Sequence, residues 1–243
     1  MAYFDGFVLA VPTANKDKFI HHANLGDGVF MDQGATRIVE AWGDDVPKGK
    51  VTDFRGAVQA TDDETVVFSW IEWPDRDARQ AAAAKMDELI KTDDRMNPEK
   101  NPMPFDGKRM IYGGFSSILD QGTGGGGYVD GFVTPLDPAK RDAYLAMSNK
   151  AGGLFAEFGA VRYVEAIADD VPDGKVTDFK RAVKAEGAEV PCFSFIEWPD
   201  KAVRDAGWEK VMADPRMQPD GDMPFDGKRM FWGGFTPVVT VEK

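Results

Sequence analysis

Three acidic residues recur at equivalent positions in the two halves of the chain, and their type and spacing are suited to acid–base chemistry. The two members of each pair lie 125 positions apart (for example 130 − 5), and each acid alternates with apolar residues along a predicted strand. A carboxyl group that is desolvated, or that lies beside another carboxyl group, has a raised pKa and can act as a general acid or base near neutral pH. We therefore predict that the acids of each half meet in or at the mouth of a cavity and are the catalytic residues. The six acids are Asp5, Asp130, Glu40, Glu165, Glu72 and Glu197.

Aromatic residues and lysines on the same predicted strands could hold a substrate against these acids. Aromatic rings supply the apolar walls that small-molecule sites share, and a lysine could bind an anionic group. A structural alternative stays open, because acids on a sheet face often pair with a basic residue, and Asp5 could pair with Lys108 across adjacent strands. The predicted substrate-binding residues are Phe68, Trp70, Trp42, Tyr112 and Lys108, with Phe193, Phe195, Trp232 and Lys228 in the second half.

The acid-rich segment from Asp44 to Asp53 is the one place where a metal site is conceivable. Its spacing is not that of a calcium-binding loop, and a turn in which Asp side chains accept hydrogen bonds from nearby amides accounts for the same residues. There is no Cys–His ligand cluster and no glycine-rich phosphate loop, so we expect neither a metal nor a cofactor. The only histidines, His21 and His22, are interpreted as exposed helix residues.

These residues belong to segments that occur twice, which indicates a duplicated domain. Asp44–Pro47 returns as Asp169–Pro172, and Met103–Met110 returns as Met223–Met230. A repeat this long exceeds the period of about 20–50 residues that is typical of solenoid units. A run of four glycines between the copies indicates a flexible tether. We predict a first repeat over residues 1–120, a glycine-rich linker over 121–127, and a second repeat over 128–243.

The elements that must position these acids follow the order β-α-β-β-α-β in each half. Helical spacing over 14–31 and 139–157 and strand-like runs on either side are typical of a ferredoxin-like unit. Such a unit has one bare sheet face. Two copies can bury these faces against each other and close an eight-stranded barrel. The predicted fold class is therefore α+β, with two tandem ferredoxin-like domains that form a pseudo-dimeric α/β barrel.

Strand alternation then assigns the polar residues to the barrel interior. In the first strand the small residues Gly6 and Val8 suit helix packing, which turns Asp5 inward. In the second strand the same argument turns Glu40 inward, and in the third Glu72 shares a face with aromatic residues. A barrel of this size can hold one small ligand.

Composition limits the classes of partner. The formal net charge is −12 and the pI is about 4.7, a surface that repels nucleic acid and anionic lipid. The N-terminus does not have the pattern of a signal peptide, and no stretch of about 18 apolar residues occurs. Cys192 is the only cysteine and lies in an apolar run, so we interpret it as a buried structural thiol. We expect a cytoplasmic protein that binds neither nucleic acid nor membranes.

Several of the repeated strings resemble a known family. Tyr128–Val133, Asp169–Phe179, Phe68–Ile71 and Met103–Phe115 are similar to the domain-of-unknown-function family 1428, the YbaA-like proteins. The resemblance covers nearly all of both halves, and it implies the dimeric α/β-barrel fold. Members of that family usually have a single copy, so this chain resembles a fused dimer. The resemblance implies no established reaction.

The hypothesis that follows is a small-molecule-binding protein. It could act as a cofactor-independent enzyme of the monooxygenase, isomerase or lyase type, with the carboxylates as acid and base. The alternatives are a non-catalytic binding or stress-related protein and an interaction module with a packed barrel. The halves form an intrachain pseudo-dimer, and a further homodimer is open. Because Trp42 corresponds to Ile167 and Tyr112 to Trp232, we expect the two pockets to be non-equivalent.

Overall fold

The computed structural model describes residues 2–218 and 221–243. Each half has the predicted order of strands and helices, with a short additional helix between its second and third strands. In the first half, two consecutive helices take the place of the second predicted helix. The first half contains β1 (Tyr3–Pro12), α1 (Lys16–Asp32), β2 (Arg37–Asp45), α2 (Phe54–Ala57), β3 (Glu64–Trp73), α3 (Arg76–Ala83), α4 (Met86–Thr92) and β4 (Ile111–Gly122). The second half contains β5 (Tyr128–Leu136), α5 (Arg141–Glu157), β6 (Arg162–Asp170), α6 (Phe179–Ala182), β7 (Val190–Trp198), α7 (Lys201–Ala213) and β8 (Phe231–Glu242). Among the described residues, no helix combines the length and the apolar character that crossing a bilayer requires.

The eight strands form one closed antiparallel barrel. Each half contributes a four-stranded sheet, in the order β4-β1-β3-β2 or β8-β5-β7-β6. The sheets join where β2 pairs with β8 and where β4 pairs with β6. The prediction of two ferredoxin-like units that close a pseudo-dimeric barrel is confirmed.

Aromatic rings from both halves fill the barrel interior. Phe68 stacks on Phe193 with ring centroids 4.5 Å apart, and Trp70 stacks on Phe195 at 4.2 Å. All four side chains are fully buried. A Cβ atom at Gly6 would lie 2.7 Å from the Phe193 ring, so this glycine leaves space for an aromatic residue of the other half. The interior is therefore a hydrophobic core shared by the two halves.

The predicted inward positions of Asp5 and Glu40 are wrong. The residues that face inward on β1 and β2 include Val8 and Ala41, which belong to the barrel core, whereas Asp5 and Glu40 lie outside the barrel, on the side of the helices. The small residues were assigned to the helix side, but they are needed inside, because rings from the opposite sheet occupy the space above them. Glu72 does share the inward face of β3 with the aromatic residues.

The repeated Lys-Val-Thr-Asp-Phe segment inserts an aromatic residue into this core. Asp53 caps α2 by accepting a hydrogen bond from the Gly56 amide at 2.5 Å, which fixes the start of the helix. Phe54 then packs edge-on against Phe231 and Phe235 of the other half, at 4.8 and 5.2 Å. The acid-rich segment from Asp44 to Asp53 therefore leads directly into a residue that completes the barrel core.

The glycine-rich linker lies against one end of the barrel. β4 continues to Gly122, and the amides of Gly125 and Gly126 donate hydrogen bonds to Glu197 at 3.1 and 3.2 Å. The linker, which the glycine run indicated to be a flexible tether, thus contributes backbone hydrogen bonds to the other elements of the barrel end. The domain limits at residues 120 and 128 stay a prediction.

Candidate functional site

Glu72 and Glu197 are held in ion pairs at one end of the barrel. Arg37 donates two hydrogen bonds to Glu197, both at 2.6 Å, and Arg162 donates two to Glu72, at 2.7 and 3.0 Å. Each pair joins the two halves, and all four residues are buried. A carboxylate held bidentately by a guanidinium is charge-compensated, and its oxygens are already engaged as acceptors. This geometry favours a structural role over the predicted catalytic one.

Sequence reasoning missed the two arginines. Arg37 and Arg162 begin equivalent strands, 125 positions apart like the glutamates. Their pairing crosses from one half to the other, so strand alternation within one half gives no sign of it. A repeated arginine beside a repeated buried glutamate was the available signal.

Asp5 and Asp130 are paired with arginines that follow them in their own halves. Arg79 contacts Asp5 at 2.9 Å and Arg204 contacts Asp130 at 2.7 Å. The Trp73 indole also donates to Asp5 at 2.9 Å. These contacts fasten α3 and α7 to the outside of the sheets. The predicted pairing of Asp5 with a lysine across adjacent strands is wrong.

The lysines and several of the aromatic residues predicted to bind substrate lie elsewhere. Lys108 and Lys228 are exposed in turns. Tyr112 and Trp232 are 46% and 38% exposed on the outside of the barrel. Trp42 packs near Phe19 on the helix side of β2. Of the aromatic residues predicted to bind substrate, Phe68, Trp70, Phe193 and Phe195 pack in the barrel core. The expected single cavity of acids, rings and lysines is therefore not formed.

The repeated Asp-Asp-Val-Pro turn forms hydrogen bonds and ion pairs with the opposite half. Asp44 accepts hydrogen bonds from Tyr128 at 2.8 Å and Lys201 at 2.6 Å, and Asp45 pairs with Arg204 at 3.1 Å. Within residues 2–218 and 221–243, no group of three or more His, Cys, Asp and Glu side chains is arranged to hold a metal ion. These aspartates therefore have ordinary partners across the two halves.

Glu165 has a different environment from the other predicted acids. It lies on β6, is 5% exposed, and accepts hydrogen bonds from the hydroxyls of Tyr144, Tyr163 and Ser194. The Tyr144 contact is 2.5 Å. Burial raises the pKa of Glu165, and the hydroxyl donors oppose that rise because they stabilise the carboxylate. Unlike Asp5, Asp130, Glu72 and Glu197, Glu165 contacts no arginine among the described residues, and it faces a large cavity.

That cavity has a volume of about 520 Å³ and lies outside the barrel. It is lined by the outer face of the second sheet, by α5 and α7, and by residues 216–218, 221–225 and 230 before β8. Four methionines add to its apolar surface, and Lys150 and Arg216 also line it. Its aromatic walls are Phe132, Tyr144, Phe155, Tyr163, Trp208 and Phe225. Sequence reasoning named Glu165 but missed this site, because it expected the ligand inside the barrel.

Cys192 lies beside Glu165 and Tyr144. The thiol is fully buried, and burial raises its pKa well above the ordinary value. A buried neutral thiol is a poor nucleophile. It packs with Tyr144 and Leu136 as part of the wall behind Glu165.

The equivalent position in the first half has other partners. Glu40 accepts a hydrogen bond from the Ser69 hydroxyl, and burial raises its pKa to about 7. Phe19 and Ile38 stand where the second half has its two tyrosines. Glu40 therefore lacks the two phenolic donors that hold Glu165.

The comparisons with known proteins agree with this architecture. A sequence model for the family described as "Protein of unknown function (DUF1428)" matches residues 2–107 and again 127–227. The uncharacterised protein YbaA of Escherichia coli K12 is 59% identical over 113 residues, which cover 46% of this chain and 97% of that protein. The YbaA protein of Shigella flexneri matches over the same length with the same identity.

Two solved structures share the fold across the whole chain. A proposed monooxygenase from Lactobacillus acidophilus NCFM aligns with a TM-score of 0.59 and 11% identity, covering 99% of this chain and 96% of that one. A proposed monooxygenase from Fusobacterium nucleatum aligns with a TM-score of 0.55 and 10% identity, covering 100% and 94%. At such identities the likeness shows the fold alone.

Proposed function

This chain belongs to the DUF1428 family, whose function is unknown, and from its own site we propose that its second half binds a small, largely apolar molecule beside Glu165 and exchanges a proton with it. The observation that carries the proposal is a buried carboxyl group, without a basic partner, that faces a cavity of about 520 Å³. Small-molecule sites typically have about 300–1,000 Å³ and apolar walls with a few polar groups.

Proton transfer is the chemistry that this site supports. Because burial raises the pKa of Glu165, the group can hold a proton closer to neutral pH than an exposed glutamate can. Tyr144 and Tyr163 remain protonated, since burial raises both phenol pKa values well above the ordinary range. They therefore act as fixed donors that orient the carboxylate.

The walls of the cavity favour a cyclic or aromatic ligand. Rings on both the sheet and the helices can stack on a planar molecule, and the methionines can adapt to its outline. A ligand with an acidic O–H or C–H would present its proton to Glu165. Removal of such a proton starts oxygenation, isomerisation and elimination alike, so all three reaction types remain in the proposal. The two proposed monooxygenases share the fold, which is an analogy and not a demonstration of function.

A non-catalytic binding protein is the second candidate. Three protein hydroxyls already occupy acceptor positions on Glu165, which suits a residue that only fixes the wall of a binding site. Such a protein would bind the same ligands without taking their protons.

A coloured phenol separates these candidates. The absorbance of 4-nitrophenol distinguishes phenol from phenolate, so titration with the protein reports binding and proton transfer together. We expect wild type to hold a larger phenolate fraction than Glu165→Gln at the same pH. Binding without that difference would support the non-catalytic candidate.

Matched tryptophan variants locate the binding. Ala146 is exposed and lines the cavity, and His21 is its exposed counterpart in the first half. Ala146→Trp should weaken binding by about tenfold or more, because it fills the entrance, while His21→Trp should leave it unchanged. Equal affinities in the two variants would refute the proposed site. Native mass spectrometry of protein purified gently from its source would then look for a retained ligand.

A further inference from the structure

The first half contains a second buried acid beside Glu40. Asp27 lies on the buried face of α1 with Phe19 and Ala23, is 5% exposed, and its Oδ2 atom has no hydrogen-bond partner. Its charged neighbour is Glu40 on β2, whose hydrogen bond comes from Ser69. Each carboxyl group therefore has acceptor capacity that the protein does not use.

This pair differs from the buried strand acids that are paired with an arginine. Glu72, Glu197, Asp5 and Asp130 each contact an arginine. Among the described residues, the positive groups around α1 form no ion pair with these two acids: Arg95 pairs with Asp32 and Asp93, and the ammonium group of Lys16 lies over the Trp42 ring. His22 shares a hydrogen bond with Asn101, and burial lowers its pKa, so it is neutral near pH 7.

Without a cation, the pair must hold protons. Burial and the nearby Glu40 charge raise the pKa of Asp27 to about 9, and burial raises the pKa of Glu40 to about 7. Two buried carboxyl groups without a basic partner are stabilised either by a shared proton or by a bound cation. Glu40 keeps part of its surface exposed, so a ligand can reach the pair from solvent.

An aromatic ring stands next to the pair. Trp42 is two residues after Glu40 on β2 and so shares its face, and the Lys16 ammonium lies 5.2 Å from the ring centroid. The ring thus already receives an ammonium group of the protein. Carboxylates beside an aromatic face are the groups that recognise organic ammonium ions.

We propose that the first half holds a second ligand site, formed by Asp27, Glu40 and Trp42, that binds a small alkylammonium cation. The second half has Gly152 and Ile167 where the first has Asp27 and Trp42, so the site belongs to the first half alone. In binding, the cation takes the place of a proton that the pair holds, and this proton leaves to solvent.

Calorimetric titration with n-butylammonium chloride at pH 8 tests this site. We expect saturable binding that is accompanied by proton release, measured by comparing buffers with different ionisation enthalpies. Asp27→Asn and Glu40→Gln should each weaken binding by about tenfold or more, since each removes one carboxylate from the cation. Asp17→Asn, at an exposed acid on the same helix, should bind like wild type.

The neutral isostere n-butanol distinguishes charge recognition from filling of an apolar gap. The proposal is overturned if n-butanol binds as well as n-butylammonium, if Asp27→Asn and Glu40→Gln both bind like wild type, or if wild type does not bind the amine at all. If one variant fails to fold, the other supplies the comparison. The readout is independent of the Glu165 cavity, and Glu165→Gln should leave amine binding unchanged.

Discussion

At the scale of single residues, one glutamate position has two surroundings in the same molecule. Glu165 has hydroxyl donors on both oxygens, whereas Glu40 has one hydroxyl donor and a second acid nearby. The two halves differ in which side chain occupies the space beside this glutamate. A Cβ atom at Gly152 would lie 2.8 Å from the Tyr163 ring, so the tyrosine occupies the region that the Asp27 side chain uses in the first half. Three differences between the halves, at the positions of Tyr144, Tyr163 and Gly152, therefore separate a hydroxyl-bound carboxylate from an acid pair.

Removing one hydroxyl should change the titration of Glu165. In Tyr163→Phe the carboxylate loses a donor, and we expect its pKa to rise further, because hydrogen bonds to the charged form lower the pKa. ¹³C NMR of the side-chain carboxyl group, assigned with Glu165→Gln, measures this. Tyr112→Phe, at an exposed position, is the control. An unchanged or lower pKa would show that the hydroxyl does not stabilise the carboxylate.

The acid pair of the first half should make stability fall as pH rises. Both pKa values are raised on folding, to about 9 and about 7, so the folded chain binds more protons than the unfolded chain above about pH 4. Between pH 6 and pH 9 this should lower the free energy of unfolding by a few kcal/mol. Urea unfolding across that range measures it.

Asp27→Asn supplies the comparison for this pH dependence. Because the amide does not titrate, the variant should lose much of the decline in stability between pH 6 and pH 9. Asp17→Asn should keep the decline, since that acid is exposed. Identical pH profiles for Asp27→Asn and wild type would mean that the pair is not protonated in the folded state.

At the scale of elements, each of the three residues in the repeated Asp-Gly-Phe segment of β1 and β5 has its own structural role. In β5, Asp130 holds α7 through Arg204, Gly131 admits a ring from the other half, and Phe132 lines the cavity. A strand presents successive side chains to opposite faces, so a three-residue motif serves both the core and the outer surface.

A methyl group at either glycine should therefore strain the barrel. In Gly131→Ala the new Cβ would lie 2.9 Å from the Phe68 ring, and we expect a loss of about 1–3 kcal/mol in the free energy of unfolding. Gly153→Ala is the matched control, since nothing lies within 4 Å of its Cβ and alanine favours the helix. Chemical denaturation compares the two. Equal effects would mean that the ring moves aside freely.

The elements also show where sequence reasoning succeeds and where it ends. Alternation and the repeat were enough to predict two ferredoxin-like units, because each strand carries its own period. The orientation of β1 was wrong, because Gly6 and Val8 suit helix packing and also suit a position beneath a ring from the other half. Choosing between these requires the identity of the opposing residue, Phe193, which lies far away in the chain.

At the scale of the whole molecule, the halves are joined by crossed ion pairs. Arg37 of the first half binds Glu197 of the second, and Arg162 of the second binds Glu72 of the first. The hydrogen bonds from Tyr128 and Lys201 to Asp44 add polar contacts between the halves. The repeated acids were identified from the sequence, but their partners became visible only once the barrel had closed.

Breaking one crossed pair should be costly. Arg37→Met leaves Glu197 buried at the join without its bidentate partner, and we expect a loss of about 3–5 kcal/mol in the free energy of unfolding. Arg76→Met, which breaks the more exposed pair with Asp169, should destabilise the chain far less, because solvent screens that pair. Thermal and urea unfolding measure both.

The double variant Arg37→Met/Glu197→Met completes this test. Much of the loss should be recovered, because the second change removes the unpaired buried charge. If the double variant is as unstable as the sum of its single changes, the two residues are not coupled, and the crossed pair does not join the halves energetically.

The linker that passes over the barrel end makes the assembly of the barrel insensitive to dilution. Two separate copies would have to meet by collision, and their barrel would come apart as concentration fell. Tethered copies face each other at an effective concentration on the order of millimolar, however dilute the solution. The tether therefore lets the shared aromatic core form within a single chain. The unfolding midpoint should accordingly be independent of protein concentration, so the barrel can persist in a cell that contains only a few molecules of the chain.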